Sequence, residues 1–308
     1  MSRLKQMAAR EQGVPPLGAG HSLCQGCGIP IVVRTVLDAI PGKKVVVNAT
    51  GCLEVATTRF PTTAWNLPWM HVAFENAAAV AAGVESGYRA LRRRHRIDEE
   101  ITFVAFAGDG GTYDIGMQAL SGALERGHRF VFVCYDNEAY MNTGVQRSGA
   151  TPFGASTTTS PSGEVGLGKL QERKDMTAIA VAHHVPYVAQ ATASHWFDLA
   201  QKADRAAAAL GPAFLNVLSD CPVGWGHEPR QFKHVLDAAV ETRFWPLYEV
   251  VNGEYSLTYE PAERVPVEEW LKGQKRFAHL LDPKNADLLR HVQKRVDSDW
   301  DKLLALCA

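Results

Sequence analysis

Two cysteines in the run Cys24-Gln25-Gly26-Cys27 put two thiolates on one tight loop, with Gly26 and Gly28 giving backbone freedom. That arrangement suits a tetrahedral metal or an iron–sulfur cluster. A zinc site would usually show a second close pair of Cys or His, whereas the further candidates, Cys52 and Cys221, are single and distant. A redox-active CxxC acting alone is the alternative, and it leaves Cys52 and Cys221 without a role. Cys134 falls inside an apolar run and Cys307 next to the C-terminal residue, so both read as non-ligands.

A second constellation is Gly108-Asp109-Gly110-Gly111, followed some way on by Asn137. A strand, a glycine turn and a helix present free N–H groups and a positive dipole end to an anion such as a diphosphate. Gly110 and Gly111 let the backbone approach phosphate oxygens. Asp109 and the Asn137 carbonyl are hard oxygens of the kind Mg²⁺ prefers. The unit reads as a Mg-diphosphate clamp of the thiamine diphosphate type. Glycines kept only for turn geometry are the plain alternative, weakened by the paired Asp109 and Asn137. A nicotinamide site would need a third glycine, and the chain continues Thr112-Tyr113 instead.

Short β-rich runs alternating with helical stretches must position these residues, which predicts an α/β fold: a mostly parallel sheet with helices on both faces. Strands are expected at 44–48, 101–107, 130–135, 187–190 and 213–219, and helices at 30–40, 77–93, 114–126, 176–184 and 196–210. Ligands of such sheets sit beyond the carboxyl ends of the strands. There the chain places Gly51-Cys52, Gly108-Asp109, Asp136-Asn137 and Asp220-Cys221. The stretch 137–174, rich in Gly, Ser, Thr and Pro, is long enough to imply function. Domain organisation is read as residues 1–243, carrying cofactor and cluster, and residues 244–308, a C-terminal extension that packs on a partner subunit. Asn252-Gly253 within that extension signals a type I′ hairpin.

Lys and Arg total 32 against 33 for Asp and Glu, a balance with no long-range field for nucleic acid or an anionic membrane. Arg92, Arg93, Arg94 and Arg96 read as charge at a helix C-terminus. No apolar run reaches the roughly 18 residues of a membrane helix, and MSRLKQMAAREQGVPP lacks the apolar core of a signal peptide. A cytoplasmic protein with reduced thiols is expected. His183 and His184 read as helix-end chemistry; His21 and His71 are weak candidates for pocket lining.

The runs GHSLCQGCG (20–28), TGC (50–52), GDGGTYDIG (108–116), YDNEAYMNTGVQRSGATPFGA (135–155) and CPVGW (221–225) resemble the β subunit of the pyruvate:ferredoxin oxidoreductase (pyruvate synthase) family of 2-oxoacid:acceptor oxidoreductases. The resemblance covers about residues 16–245 and implies a thiamine-diphosphate-binding fold. It implies that Cys24, Cys27, Cys52 and Cys221 hold a [4Fe–4S] cluster beside the cofactor. Asp109, Asn137 and the carbonyl of Ala139 would bind Mg²⁺. Gly51, Gly108, Gly110 and Gly111 would line the cofactor, and Asn142 would reach the reacting carbon as the catalytic residue.

The implied reaction is oxidative decarboxylation of a 2-oxo acid with coenzyme A as co-substrate. Pyruvate fits segment 135–155 best, with oxalate or an aryl glyoxylate as alternatives in the family. A non-oxidative thiamine decarboxylase and a zinc-stabilised scaffold are the rivals from other classes. Fused family members commonly carry Glu two residues after the second CxxC cysteine, where this chain has Ile29. The family also takes its thiamine-activating Glu from an α subunit. Ferredoxin-like Cys runs are absent here too, so a ferredoxin-like Fe–S subunit and a γ subunit are expected partners.

Overall fold

The computed structural model describes residues 14–308. Most of the segment read for a signal peptide, 1–13, lies outside the described residues. Eight strands form one sheet: β1 (Lys43–Ala49), β2 (Trp69–Val72), β3 (Ile101–Gly108), β4 (Val131–Asp136), β5 (Tyr187–Thr192), β6 (Ala213–Leu218), β7 (Leu247–Val251) and β8 (Glu254–Tyr259). Their order across the sheet is β2-β1-β3-β4-β6-β5-β7-β8. The first six are parallel, and β7 and β8 close one edge antiparallel.

Side chains alternate along each buried strand, as the pleat requires. From β4, Val131, Val133 and Tyr135 join one core with α1 (Ile29–Ala39), α6 (Trp196–Ala208) and α7 (Phe232–Glu241). Phe132 and Cys134 join the other core, with α3 (Ala77–Arg93), α4 (Met117–Glu125) and α5 (Met176–Val181). Burial on both faces explains why these strands read as continuous apolar runs. In α1, Pro30 occupies the first turn, where its missing N–H costs nothing, and Val32, Val33, Val36 and Leu37 form the buried stripe.

All five expected strands are present, with ends shifted by one or two residues. Helix α4 starts at Met117 rather than at 114, because Gly110–Asp114 wind into a π turn first. Helix α5 stops at Val181, and His184 takes a left-handed φ of 54° after it. Strand β2, α2 (Cys52–Thr57) and α7 were not anticipated.

Residues 244–308 add β7 and β8 to the same sheet. Asn252 and Gly253 both take positive φ, 51° and 92°, as a type I′ turn needs. Trp245, Trp270, Phe277 and Leu280 from this segment are buried in the core that also holds Tyr135. After α8 (Glu268–Lys272), a 3₁₀ turn at Lys275–Leu281 carries Arg276 inward, and α9 (Ala286–Cys307) ends the chain. Among the described residues no helix is long and apolar enough to cross a membrane.

Candidate functional site

The strands that end in candidate residues, β1, β3, β4 and β6, are four consecutive neighbours in the sheet. In-register pairing, Gly108 opposite Tyr135 and Asp136 opposite Leu218, brings their carboxyl ends level. All the residues expected beyond those ends therefore face one stretch of the sheet edge.

On the oxygen side, Asp109 is 1% exposed and Asn137 4%. The Asn137 side-chain amide stands 2.8 Å from Asp109 Oδ1 and 2.9 Å from the carbonyl oxygen of Ala139. With its nitrogen turned inward, the amide donates to both. With its oxygen turned inward, three oxygens converge. Neighbouring ligands of an octahedral Mg²⁺, with bonds of about 2.0–2.1 Å, lie about 2.9 Å apart, so the spacing suits that ion. Burial and the negative charge of Asp136 push the Asp109 carboxyl well above its ordinary pKa, while Ser148 Oγ, donating at 2.5 Å, pulls it down. A divalent cation would reverse that balance. Gly110 has no room for a side chain, since a Cβ there would meet the Tyr140 ring at 2.2 Å.

This loop is braced from below by residues the sequence did not flag. Glu138, between Asn137 and Ala139, takes a left-handed φ of 69°, a strained state for a residue with a side chain. Its carboxylate accepts from Arg173 Nη1 at 3.0 Å and Arg276 Nη2 at 2.5 Å. Its N–H donates to Asp136 Oδ1, and its carbonyl accepts from Thr151 Oγ1. Arg173 and the Tyr113 hydroxyl both donate to Asp136 Oδ2. Asp136 and Glu138 could have been suspected as neighbours of Asn137. Nothing in the sequence marks Arg276, which arrives from the tail.

The thiols differ in setting. Cys24 is exposed, and Cys27, Cys52 and Cys221 are partly buried. Gly26 closes the turn with φ +78°, and a Cβ there would strike Pro229. Cys27, Cys52 and Cys221 pack against the same core, and Cys27 and Cys52 each lie within electrostatic reach of Cys221. Burial, then the negative field of Cys221 and Cys24, pushes Cys52 up to about 12. Burial likewise pushes up Cys27, which also feels Asp220, Cys221 and Cys52. Such thiols resist ionising alone and favour a cationic centre that compensates their charge. Gly224 N–H donates to Cys221 Sγ at 3.3 Å. Among the described residues no three His, Cys, Asp or Glu stand close enough to share one metal ion. A cubane asks for something looser, since each thiolate binds a different iron.

Around the thiols, Tyr135 Oη, Ser219 Oγ and both Asp220 carboxylate oxygens are buried without a hydrogen-bond partner. His227 Nε2 lies 3.2 Å from Asp220 Oδ2, poorly directed for a bond. Ile29 packs into the core at 1% exposure, and its backbone amide works against the burial that raises the Cys27 thiol. Asn142 is exposed on the loop after Tyr140. Gly51 and Gly108 both border Tyr135 at the strand ends. Cys134 is buried inside β4 and Cys307 ends α9. His71 accompanies Thr50, two residues before Cys52, at 2.7 Å, and His183 is held by Ser121 at 2.8 Å.

The pattern of the family "Thiamine pyrophosphate enzyme, C-terminal TPP binding domain" matches residues 49–217. The pyruvate synthase subunit PorB of Methanothermobacter thermautotrophicus is 51% identical over 287 residues, spanning 93% of this chain and 96% of that one. The chain belongs to the PorB family of pyruvate synthase subunits. This family consists of thiamine-dependent oxidoreductase subunits, as the sequence motifs had suggested. The Thermotoga maritima PorB is 47% identical over 293 residues, with 93% and 90% covered. A ketoisovalerate oxidoreductase subunit, VorB of Pyrococcus horikoshii, is 39% identical over 290 residues, with 94% and 92% covered. Among solved structures, a 2-oxoglutarate:ferredoxin oxidoreductase from Magnetococcus marinus shares the fold at a TM-score of 0.55 and 22% identity, covering 65% of this chain and 64% of its own. The matched domain runs from the end of β1 to β6, the span that delivers Asp109 and Asn137.

Proposed function

We propose that this chain is the β subunit of a CoA-dependent 2-oxoacid:acceptor oxidoreductase that oxidatively decarboxylates pyruvate to an acyl-CoA and CO₂. The observation that carries the reading is the convergence of Asp109, Asn137 and the Ala139 carbonyl at 2.8–2.9 Å, on the sheet edge where Cys52 and Cys221 also follow strand ends. Asp109, Asn137 and Ala139 hold Mg²⁺ on the diphosphate, and Cys24, Cys27, Cys52 and Cys221 hold a [4Fe–4S] cluster. When bound, thiamine diphosphate supplies a carbanion at its thiazolium ring and the cluster a one-electron sink.

The protein's own share is position and electrostatics. The π turn at Gly110 offers free N–H groups to phosphate oxygens. Asp109, kept from water, meets the cation with full effect. The Gly51-Cys52 and Gly108 turns border the thiamine, and the exposed Asn142 faces outward, where substrate and a partner's residues meet. An α subunit supplies the thiamine-activating Glu and substrate contacts, a ferredoxin-like subunit carries electrons onward, and a γ subunit completes the assembly. Near-end-to-end alignment with a PorB chain at 51% identity supports pyruvate over other oxo acids.

The test is anaerobic purification of the assembled complex, with iron, acid-labile sulfide, zinc and thiamine diphosphate assays and a panel of 2-oxo acids. About four iron and four sulfide per β chain from this cluster, with CoA-dependent pyruvate oxidation, is the expected result. Stoichiometric zinc without iron, or pyruvate decarboxylation without electron release, would sink the reading.

A further inference from the structure

The thiol site and the oxygen clamp share a physical strap. Cys221 opens the π turn Pro222–Gly226, and the fourth residue of that turn, Trp225, is fully buried. Its indole Nε1 donates to the backbone carbonyl of Asn137 at 2.9 Å. That carbonyl belongs to the residue whose side chain meets Asp109. Arg276 lies over the Trp225 ring, its Cζ 4.1 Å from the centroid, and its Nη2 reaches Glu138 at 2.5 Å. Glu138 is the left-handed residue that turns Asn137 and Ala139 toward the same point. A shift of the Cys221 turn therefore moves Trp225, and Trp225 can move only with Asn137 or by breaking a buried hydrogen bond. Leaving that carbonyl unpaired costs about 1–3 kcal/mol.

We propose that Trp225 is a positioning residue that couples occupancy of the thiol site to affinity at the oxygen clamp, with Arg276 holding both ends of the strap. The inference rests on the reading of the two sites given above, and it adds that they are not independent. The four-thiol site, when filled, fixes the Cys221 turn and so presets the Asn137 loop for Mg²⁺ and diphosphate. By linkage the effect is reciprocal: thiamine diphosphate holds the iron in place by the same factor.

The experiment measures the dissociation constant of Mg–thiamine diphosphate by titration calorimetry on the assembled complex, with the cluster intact and after its chelation under oxidation. Wild-type complex is expected to bind at least about fivefold more weakly without iron, the lower end of typical coupling. Trp225→Phe keeps the ring under Arg276 and loses only the N–H. It should retain the iron content of the wild type, with a melting temperature lowered by only the few degrees that one unpaired buried carbonyl costs, while its ratio falls towards one. Arg276→Lys, which keeps the charge but not the guanidinium over the ring, should give an intermediate ratio. Rates are not needed for any of these readings. If wild type binds both groups with a ratio of one, or if Trp225→Phe keeps the full ratio, the coupling is wrong and the two-site reading stands. A complex that carries no iron and binds no thiamine diphosphate overturns both.

Discussion

The two halves of the site are built on opposite principles. The oxygen clamp is dry and over-determined: Asp109 and Asn137 are buried, and two arginines, a tyrosine and two hydroxyls brace the residues between them. The thiol site is half open, with Cys24 exposed and several buried polar atoms nearby lacking partners. The clamp is shaped by protein contacts and waits for its ion. The thiol region packs Cys27, Cys52 and Cys221 against the core but leaves Cys24 exposed, so the group it holds must supply the order of that outer loop, as when binding energy becomes folding energy in small metal sites.

Substitutions at the ligands should expose that difference most strongly. Asp109→Asn removes the charge facing the cation, and affinity for Mg–thiamine diphosphate should fall by more than the ~10–100-fold typical of outer-sphere partners. The melting temperature should hardly move, because the bracing contacts remain. Cys52→Ser should remove the roughly four iron assigned to this chain's cluster and abolish CoA-dependent oxidation. It should also lower the melting temperature and raise protease sensitivity around Cys24. Calorimetry, iron assay and limited proteolysis on the two variants give the answer. A destabilised Asp109→Asn beside an unchanged Cys52→Ser would invert the comparison.

Next in size is the brace itself. Arg276→Met leaves one carboxylate oxygen of the fully buried Glu138 without its cation, and breaking a buried pair from one side costs about 3–5 kcal/mol. A fall of about 5–15 °C in melting temperature follows. Glu138→Gln with Arg276→Gln should cost less than the sum of the single changes, since neither charge is then stranded. Strict additivity would mean that the pair is not the element holding the loop.

Much of this architecture is legible in the chain, and the limits have a physical pattern. Strands β1, β3, β4, β5 and β6 announce themselves because burial on both faces demands unbroken apolar runs. Asp109, Asn137 and the four cysteines are legible because each follows a strand end, where parallel sheets put ligands. Strand β2 is not, being four residues at an edge, only partly buried and without alternation. Arg276 is not, because its meaning is a contact with Glu138 across 138 positions of sequence. The segment 244–308 reads as an extension that packs on a partner; that Trp245, Trp270 and Phe277 also enter the main core is not legible, because strand pairing with β5 carries no local signature.

A smaller effect separates the regions by pH. Lys169, on the loop above the brace, is 1% exposed and donates to the carbonyls of Thr151 and Glu172. Burial, with Arg173 and Arg147 nearby, lowers its pKa to about 8. Between pH 8 and the unfolded value near 10.5 the unfolded chain binds more protons than the native one, so this group makes stability rise with pH. Its cost is fully present below pH 8 and relieved above 10.5, an order of about 1–3 kcal/mol. Relative to Lys169→Met, wild type should therefore gain stability from pH 7.5 to pH 10 in denaturant titrations. A flat difference would place the amine in contact with water and the loop less tightly closed than its hydrogen bonds indicate.

The smallest expected effect bears on which cysteines count. Cys307 ends α9 and packs beside Leu257 and Tyr255 on the far core, where burial raises its pKa. It interacts with none of the four gathered thiols. Cys307→Ser swaps a partly buried sulfur for a hydroxyl, a surface-like change worth about 0.5 kcal/mol or less. Iron content, thiamine diphosphate affinity and melting temperature should all match the wild type. The contrast with Cys52→Ser is the informative quantity: both variants lose one thiol of six, so a general sensitivity to thiol loss would move them together. Equal iron loss in the two would mean that the thiol site draws on the C-terminal helix, and the grouping on the β1–β6 edge would have to be abandoned.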